Sequence, residues 1–319
     1  MKISPQGIIL KGVGGLYNVK ITDADSEFYG EVIQCRARGA FRHNNITPLA
    51  GDRVLLLSED ESGTGERKLT DGAFVIDEIL ERKNSLIRPP LANLDYIFVT
   101  MAAAHPTPIL STVDKLISIA EFNKIEPIIL ITKLDLAPLE AERILDIYKS
   151  AGFTAFAVSS VTGEGIDDVK RFVEGELAGK ISAFAGASGI GKSTLMNALF
   201  PHLELSTSDI SRKIERGRHT TRQVELFPLS DDKDSGYLAD TPGFSMLDFQ
   251  RFDFFELEDL AYTMREFSSY IGECRYTKCS HTKEEGCAVL AAVKRGDIKK
   301  CRHESFLEIY EVLKQKKKW

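Results

Sequence analysis

Apolar and polar positions alternate over residues 16–22, placing Tyr17, Val19 and Ile21 on one side. That period of two predicts a half-buried strand. Residues 28–36, 52–57 and 73–79 carry similar short apolar runs, separated by glycine and polar clusters. Short strands punctuated this way predict a small barrel or sandwich. With four or five strands, an OB-fold barrel over residues 1–82 is the first choice. The polar, glycine-bearing stretch 59–72 predicts a mobile loop. Arg88-Pro89-Pro90 reads as a stiff linker, after which the pattern changes. Apolar runs at 94–101, 128–131, 153–158 and 180–185 predict buried strands. Helical periodicity fills 109–122, 139–150, 166–176 and 194–199, with Val113, Leu116, Ile117 and Ala120 on one face of the first. Strand alternating with helix predicts a doubly wound parallel sheet over residues 83–248, with ligands at the carboxyl ends of its strands. The Phe- and Leu-rich stretch 252–270 and residues 306–313 read as helical, within a third region spanning 249–319.

The chain has 319 residues, enough for two or three domains, with 43% hydrophobic and 28% charged residues. No apolar run approaches a membrane span, and Met1–Pro5 opens no long apolar signal segment, which predicts a cytoplasmic protein without membrane contact. A net charge of -6 argues against a wholly basic nucleic-acid-binding surface but leaves room for local patches. One such patch is Arg36, Arg38, Phe41, Arg42 and His43 with Asn44 and Asn45, where basic residues interleave with an aromatic. That composition suits an RNA-contacting loop as well as a plain solvated one. Lys294, Arg295, Lys299, Lys300 and Arg302 add basic charge near the end.

The sharpest chemical signal is Gly186-Ala187-Ser188-Gly189-Ile190-Gly191-Lys192-Ser193-Thr194, which fits the phosphate-binding pattern G-x-x-x-x-G-K-[ST] between a strand and a helix. Glycines let several N–H groups converge on one anion, and the helix start adds its positive end. Lys192 would reach the β- and γ-phosphates, and Ser193 would hold Mg²⁺. At the end of one predicted strand stands Thr132-Lys133-Leu134-Asp135, and at the end of the next Ser159-Ser160. Asp135 can accept both N1–H and the 2-amino group of guanine, which adenine does not offer in that arrangement. The Lys133 stem can pack over the base, and an N–H near Ser160 can meet O6. Downstream, in Asp240-Thr241-Pro242-Gly243, Asp240 would hold Mg²⁺ through water and the Gly243 N–H would meet the γ-phosphate. Each motif is weak alone; together, each at a strand end, they specify GTP and GDP. A metabolic P-loop kinase has no need to read guanine. The mobile, charged segment 212–222 offers Thr220 or, preferably, Thr221 as a second Mg²⁺ contact.

Five cysteines are present. Cys274, Cys279, His281 and Cys287 follow C-x₄-C-x-H-x₅-C, a closed set of three thiolates and an imidazole suited to structural Zn²⁺. Cys301 and His303 are further possible ligands, and Cys35 reads as a strand residue.

The base-reading motifs precede the phosphate loop, the reverse of the usual GTPase order. In this the chain resembles the RsgA family (YjeQ, YloQ), circularly permuted GTPases, and the likeness extends from the barrel-like start to the cysteine-rich end. Thr132 departs from the Asn usual in GTPases at that position. The resemblance implies an OB-fold RNA-binding domain (1–82), a permuted GTPase domain (83–248) and a helical zinc domain (249–319). It selects Cys274, Cys279, His281 and Cys287 as the zinc set. It implies a monomeric late assembly factor for the small ribosomal subunit that binds subunit and rRNA in the GTP state and leaves after subunit-stimulated hydrolysis. Phe244 follows Gly243, where Ras-type enzymes place a water-orienting Gln; the resemblance implies another group, and His219 is the candidate.

Overall fold

Among the described residues the first element is strand β1 (Gln6–Val13), where Gly7, Lys11 and Gly12 interrupt the alternation of apolar and polar positions. The computed structural model describes residues 5–39, 41, 46–58, 74–87, 89–203, 224–240 and 255–315. These residues fall into two compact units. One lies within Met1–Asp95, Gly175–Ala183 and Ser208–Pro242, the other within Tyr96–Glu174, Phe184–Thr207 and Gly243–Trp319.

In the first unit, β1 is followed by β2 (Leu16–Ile21), β3 (Val32–Ala37), β4 (Arg53–Ser58) and β5 (Phe74–Ile79). The order β1-β2-β3-β5-β4 closes through a β1–β4 pairing into a five-stranded, OB-like barrel. The inward positions Ile9, Val19, Ile21, Ile33, Val54, Leu56 and Ile76 fill it together with Cys35, which is indeed a buried strand residue. Tyr17, Val19 and Ile21 share a face as their alternation requires, whereas Phe28 to Gly30, read as strand, turns instead and sends the Phe28 ring edge-on against Phe74 at 5.6 Å. Arg38 is exposed and pairs with Asp77 of β5 on the barrel surface. Residues 42–45 and 59–72 of the expected RNA-contacting and mobile loops lie outside the described residues.

After β6 (Ser85–Leu86) and β7 (Leu91–Ala92), the chain enters the second unit with β8 (Tyr96–Ala102), α1 (Leu110–Phe122), β9 (Glu126–Thr132), α2 (Pro138–Ser150), β10 (Thr154–Ala157) and α3 (Ile166–Glu176). β8, β9 and β10 form parallel ladders, with Ala102 beside Thr132 and Ala157 beside Ile131. Such ladders need covered faces, and nearly every residue of β8 and β9 is buried. Val113, Leu116, Ile117 and Ala120 are the buried stripe of α1, as its periodicity requires. β11 (Ile181–Ala185) leads into α4 (Lys192–Leu199), and Phe184 at its end stacks on Phe98 at 4.7 Å. β12 (Glu225–Pro228) and β13 (Tyr237–Asp240) make a hairpin in the first unit.

The last part of the second unit packs Phe255, Leu260, Met264, Phe267, Phe306, Ile309 and Leu313 into one cluster. It holds α5 (Ala288–Arg295) and α6 (Lys300–Lys314). The described part of the stretch expected as a long helix, residues 252–270, forms two short 3₁₀ segments, Leu257–Thr263 and Arg265–Phe267, instead. Two arginines explain how this end is fixed. Arg265 donates to both carboxylate oxygens of Glu126 at 3.1 and 2.9 Å, to Glu121 at 2.5 Å and to the Gly152 carbonyl at 3.0 Å. Arg302, only 1% exposed, forks onto Glu266 at 2.7 and 3.1 Å and pairs with Asp114 of α1, which also accepts from Tyr148 at 2.9 Å. Burial opposes the charge on Arg302, yet the carboxylates of Asp114 and Glu266 more than offset it and raise the guanidinium pKa. Arg302 is therefore an internal strut, not part of a solvated basic face. Lys299, Lys300 and Arg295 are in turn paired with Asp146, Glu304 and Asp297.

Candidate nucleotide site and metal centre

The phosphate loop hangs between β11 and α4 on conformations that side chains resist. Gly186 has φ +148°, and a Cβ there would lie 2.3 Å from the Thr100 carbonyl oxygen. Gly191 caps α4 with φ +91°. Gly189 (φ +76°), Ala187 and Ser188 are exposed on the loop, Ile190 is buried, and in the first turn of α4 Ser193 is half-buried and Thr194 exposed. The Lys192 ammonium donates to the carbonyls of Gly186 at 2.7 Å and Ala187 at 2.6 Å. Burial pushes its pKa down to about 8. A group so placed gains from an anion brought to the loop.

The loop after β9 meets this loop directly. Thr132, buried at the strand end, donates through its hydroxyl to the Ile190 carbonyl at 2.5 Å. Lys133, at φ +59°, sends its ammonium to the carbonyls of Gly189 at 3.0 Å and His105. The Leu134 N–H donates to the Val158 carbonyl at 3.1 Å, tying the loop to the end of β10. Asp135 is exposed, and Ser159 donates to its Oδ1 at 2.6 Å. The Ser159 hydroxyl oxygen itself accepts from the N–H groups of Val161 at 3.3 Å and Thr162 at 3.1 Å. Ser160 sits half-exposed on the same turn. Thr132, Lys133, Leu134, Asp135, Ser159 and the 186–194 loop thus form one connected constellation. His105 was not singled out from sequence; its signal is its place at the carboxyl end of β8, where this sheet type holds ligands.

Asp240 ends β13, opposite Glu225 in the hairpin register. His219, Thr221 and Gly243 lie outside the described residues.

The second cluster is independent. One ligand atom from each of Cys274, Cys279, His281 and Cys287 comes within 4.8 Å of all the others. His281 Nδ1 is 3.5 Å from the sulfurs of both Cys274 and Cys287, which are 3.9 Å apart. Zinc at about 2.3 Å from sulfur and about 2.0–2.1 Å from nitrogen in a tetrahedron sets these edges near ~3.5 and ~3.8 Å. The donor set therefore fits Zn²⁺. The N–H groups of Ala288 and Leu290 point at the sulfurs of Cys274 (3.3 Å) and Cys287 (3.5 Å), as suits thiolates. Glu284 braces the loop: burial alone would raise its pKa, but the Ser280 hydroxyl and the N–H groups of Ser280, Glu284 itself and Lys283 pull it down to about 2.

A phosphate loop wired to a carboxylate-bearing loop at the carboxyl ends of parallel strands defines a P-loop nucleotide-binding protein. Residues 79–250 match the family model described as RsgA GTPase, and residues 6–65 match the RsgA N-terminal domain. The chain is 39% identical over 98% of its length to a protein of Bacillus pumilus named small ribosomal subunit biogenesis GTPase RsgA, covering 99% of that protein. It is 41% identical over 97% of its length to one of the same name from Ruminiclostridium cellulolyticum, covering 93% of it. Among solved structures it is similar to YjeQ from Thermotoga maritima (TM-score 0.77, 32% identity, 98% of this chain and 99% of that one). It is also similar to YloQ, described as a circularly permuted GTPase (TM-score 0.76, 34% identity, 99% and 97%). The chain belongs to the RsgA family of circularly permuted GTPases.

Proposed function

We propose that this GTPase serves small-subunit ribosome assembly: in its GTP state it engages the small subunit and its rRNA, and subunit-stimulated hydrolysis to GDP releases it. The observation that supports this reading is the Thr132–Ile190 bond, which ties the loop that carries Asp135 to the phosphate loop. In this reading Asp135 recognises the base, held by Ser159; Lys133 covers the base with its stem while its head anchors to Gly189 and His105. Lys192 and the loop N–H groups bind the phosphates, with Leu134, Ser160 and Gly186–Thr194 completing the pocket. Ser193, Thr221 and Asp240 are the proposed Mg²⁺ residues, and Mg²⁺ when bound neutralises charge on the phosphates. Gly243 contacts the γ-phosphate, and His219 positions the attacking water. Cys274, Cys279, His281 and Cys287 hold one structural Zn²⁺.

The proposed division is an OB-fold RNA-binding domain (1–82), a permuted GTPase domain (83–248) and a zinc domain (249–319) in a cytoplasmic monomer. Among the described residues no helix is long and apolar enough to cross a membrane. The test is co-sedimentation of the full chain with purified small subunits in the presence of a non-hydrolysable GTP analogue or GDP. Pelleting with the analogue and release with GDP is the expected result; equal pelleting in both removes the nucleotide-gated cycle.

A further inference from the structure

His303 stands next to Arg302 on α6, and successive residues on a helix point about 100° apart. The two therefore serve different neighbours. Arg302 turns to Asp114 and Glu266, whereas His303 turns to the metal loop: its Nε2 lies 2.8 Å from the backbone carbonyl of His281. A carbonyl only accepts, so Nε2 carries the hydrogen and donates. The His303 ring is buried at 6% exposure and packs in a cluster of rings, stacked on Phe306 at 5.8 Å and tilted against Phe267 at 6.2 Å, which itself meets Phe306 at 5.1 Å. That packing leaves the donor little freedom.

The acceptor belongs to the one ligand with an unusual backbone. His281 has φ +57°, a left-handed conformation uncommon for a residue with a side chain, and this conformation accompanies the turn of its Nδ1 toward the cysteine sulfurs. Glu284 holds the loop from its own side through the N–H groups of Ser280, Thr282 and Lys283, but it does not hold the His281 carbonyl. That role falls to α6. Groups behind a metal ligand commonly set its orientation and retention.

Resting on the zinc reading of Cys274, Cys279, His281 and Cys287, we infer that His303 is a positioning residue for the metal centre, fixing the backbone of His281 so that Nδ1 faces the thiolates. Among the described residues, the ligand atoms that converge come from Cys274, Cys279, His281 and Cys287 and not from His303. The loop is thereby fastened to the same helix that Arg302 anchors on α1.

The test uses the full zinc-loaded chain challenged with a chromogenic chelator. His303→Phe keeps a ring against Phe267 and Phe306 but removes the donor; His303→Gln places an N–H near the same point. Zinc release about tenfold faster or more in H303F, with H303Q within about threefold of the parent, is expected. Release at the parent rate in H303F, or equal acceleration in both variants, overturns the inference. Should H303F not fold, H303L and H303Q are compared by the difference in melting temperature with zinc bound and after chelation. A positioning role shrinks that difference in H303L and preserves it in H303Q; the same difference in both overturns it. Failure of the zinc reading itself is distinguishable: the parent chain would then carry no stoichiometric zinc and give no tetrahedral thiolate spectrum with Co²⁺, and the inference would fall with it.

Discussion

The Thr132 hydroxyl donates to the Ile190 carbonyl at 2.5 Å, joining the loop after β9 to the loop before α4. A side chain 2% exposed therefore links the part of the site assigned to the base with the part assigned to the phosphates. Thr132 stands where Asn is usual in GTPases, and its hydroxyl supplies this cross-link between the loops.

Thr132→Val removes the donor at nearly constant volume and strands a buried carbonyl. Leaving such a group unsatisfied costs about 1–3 kcal/mol. GDP affinity, measured with a fluorescent analogue, should fall by about fivefold or more, with Thr132→Ser close to the parent. Unchanged affinity in T132V would mean that the bond does not support the site.

Asp135→Asn replaces a two-site acceptor by a group with one acceptor and one donor. GTP binding should weaken by about 10²-fold or more, since charged hydrogen bonds to the base are lost. The parent should discriminate against inosine nucleotides, which lack the 2-amino group, and D135N should not. Ser159→Ala, which frees Oδ1 of Asp135, should show a smaller loss in the same direction. Equal binding of guanosine and inosine nucleotides by the parent would contradict the assignment.

Lys192 has a pKa pushed down to about 8 by burial. An adjacent polyphosphate favours the charged form and raises the pKa in the complex. The free protein therefore loses this proton as pH rises through about 8 while the complex keeps it, so binding takes up a proton there. GDP affinity should be level near pH 7 and decline by up to about tenfold per pH unit above 8. A flat titration between about pH 7 and 9 would contradict it.

Arg302→Met leaves Asp114 and Glu266 buried without their partner. Removing one member of a buried ion pair costs about 3–5 kcal/mol, and the melting temperature should drop accordingly. Adding Asp114→Leu should recover part of the loss. An R302M variant as stable as the parent would show that the strut is dispensable.

Much of this was legible in the sequence for physical reasons. Periodicity revealed α1 and the parallel strands because Val113, Leu116 and Ile117, and the continuous apolar run of β8, are dictated by burial on covered faces. Spacing revealed the metal set because its ligands are close in the chain. β1 was not read, since Gly7, Lys11 and Gly12 interrupt its alternation. The stretch 252–270 looked helical from its Phe and Leu content, but its described part divides into 3₁₀ segments around Met264. Arg302 looked like surface charge because its partners Asp114 and Glu266 lie 188 and 36 residues away. The Ser159–Asp135 and Thr132–Ile190 bonds depend likewise on long-range contacts that no local pattern announces.

The most direct test is turnover of GTP against ATP by the full chain, with and without purified small ribosomal subunits. GTP-specific hydrolysis that is slow alone and rises steeply with subunits is the predicted result. Comparable turnover of ATP would mean that Thr132 to Asp135 does not read guanine, and GTP turnover indifferent to subunits would contradict a switch coupled to that partner.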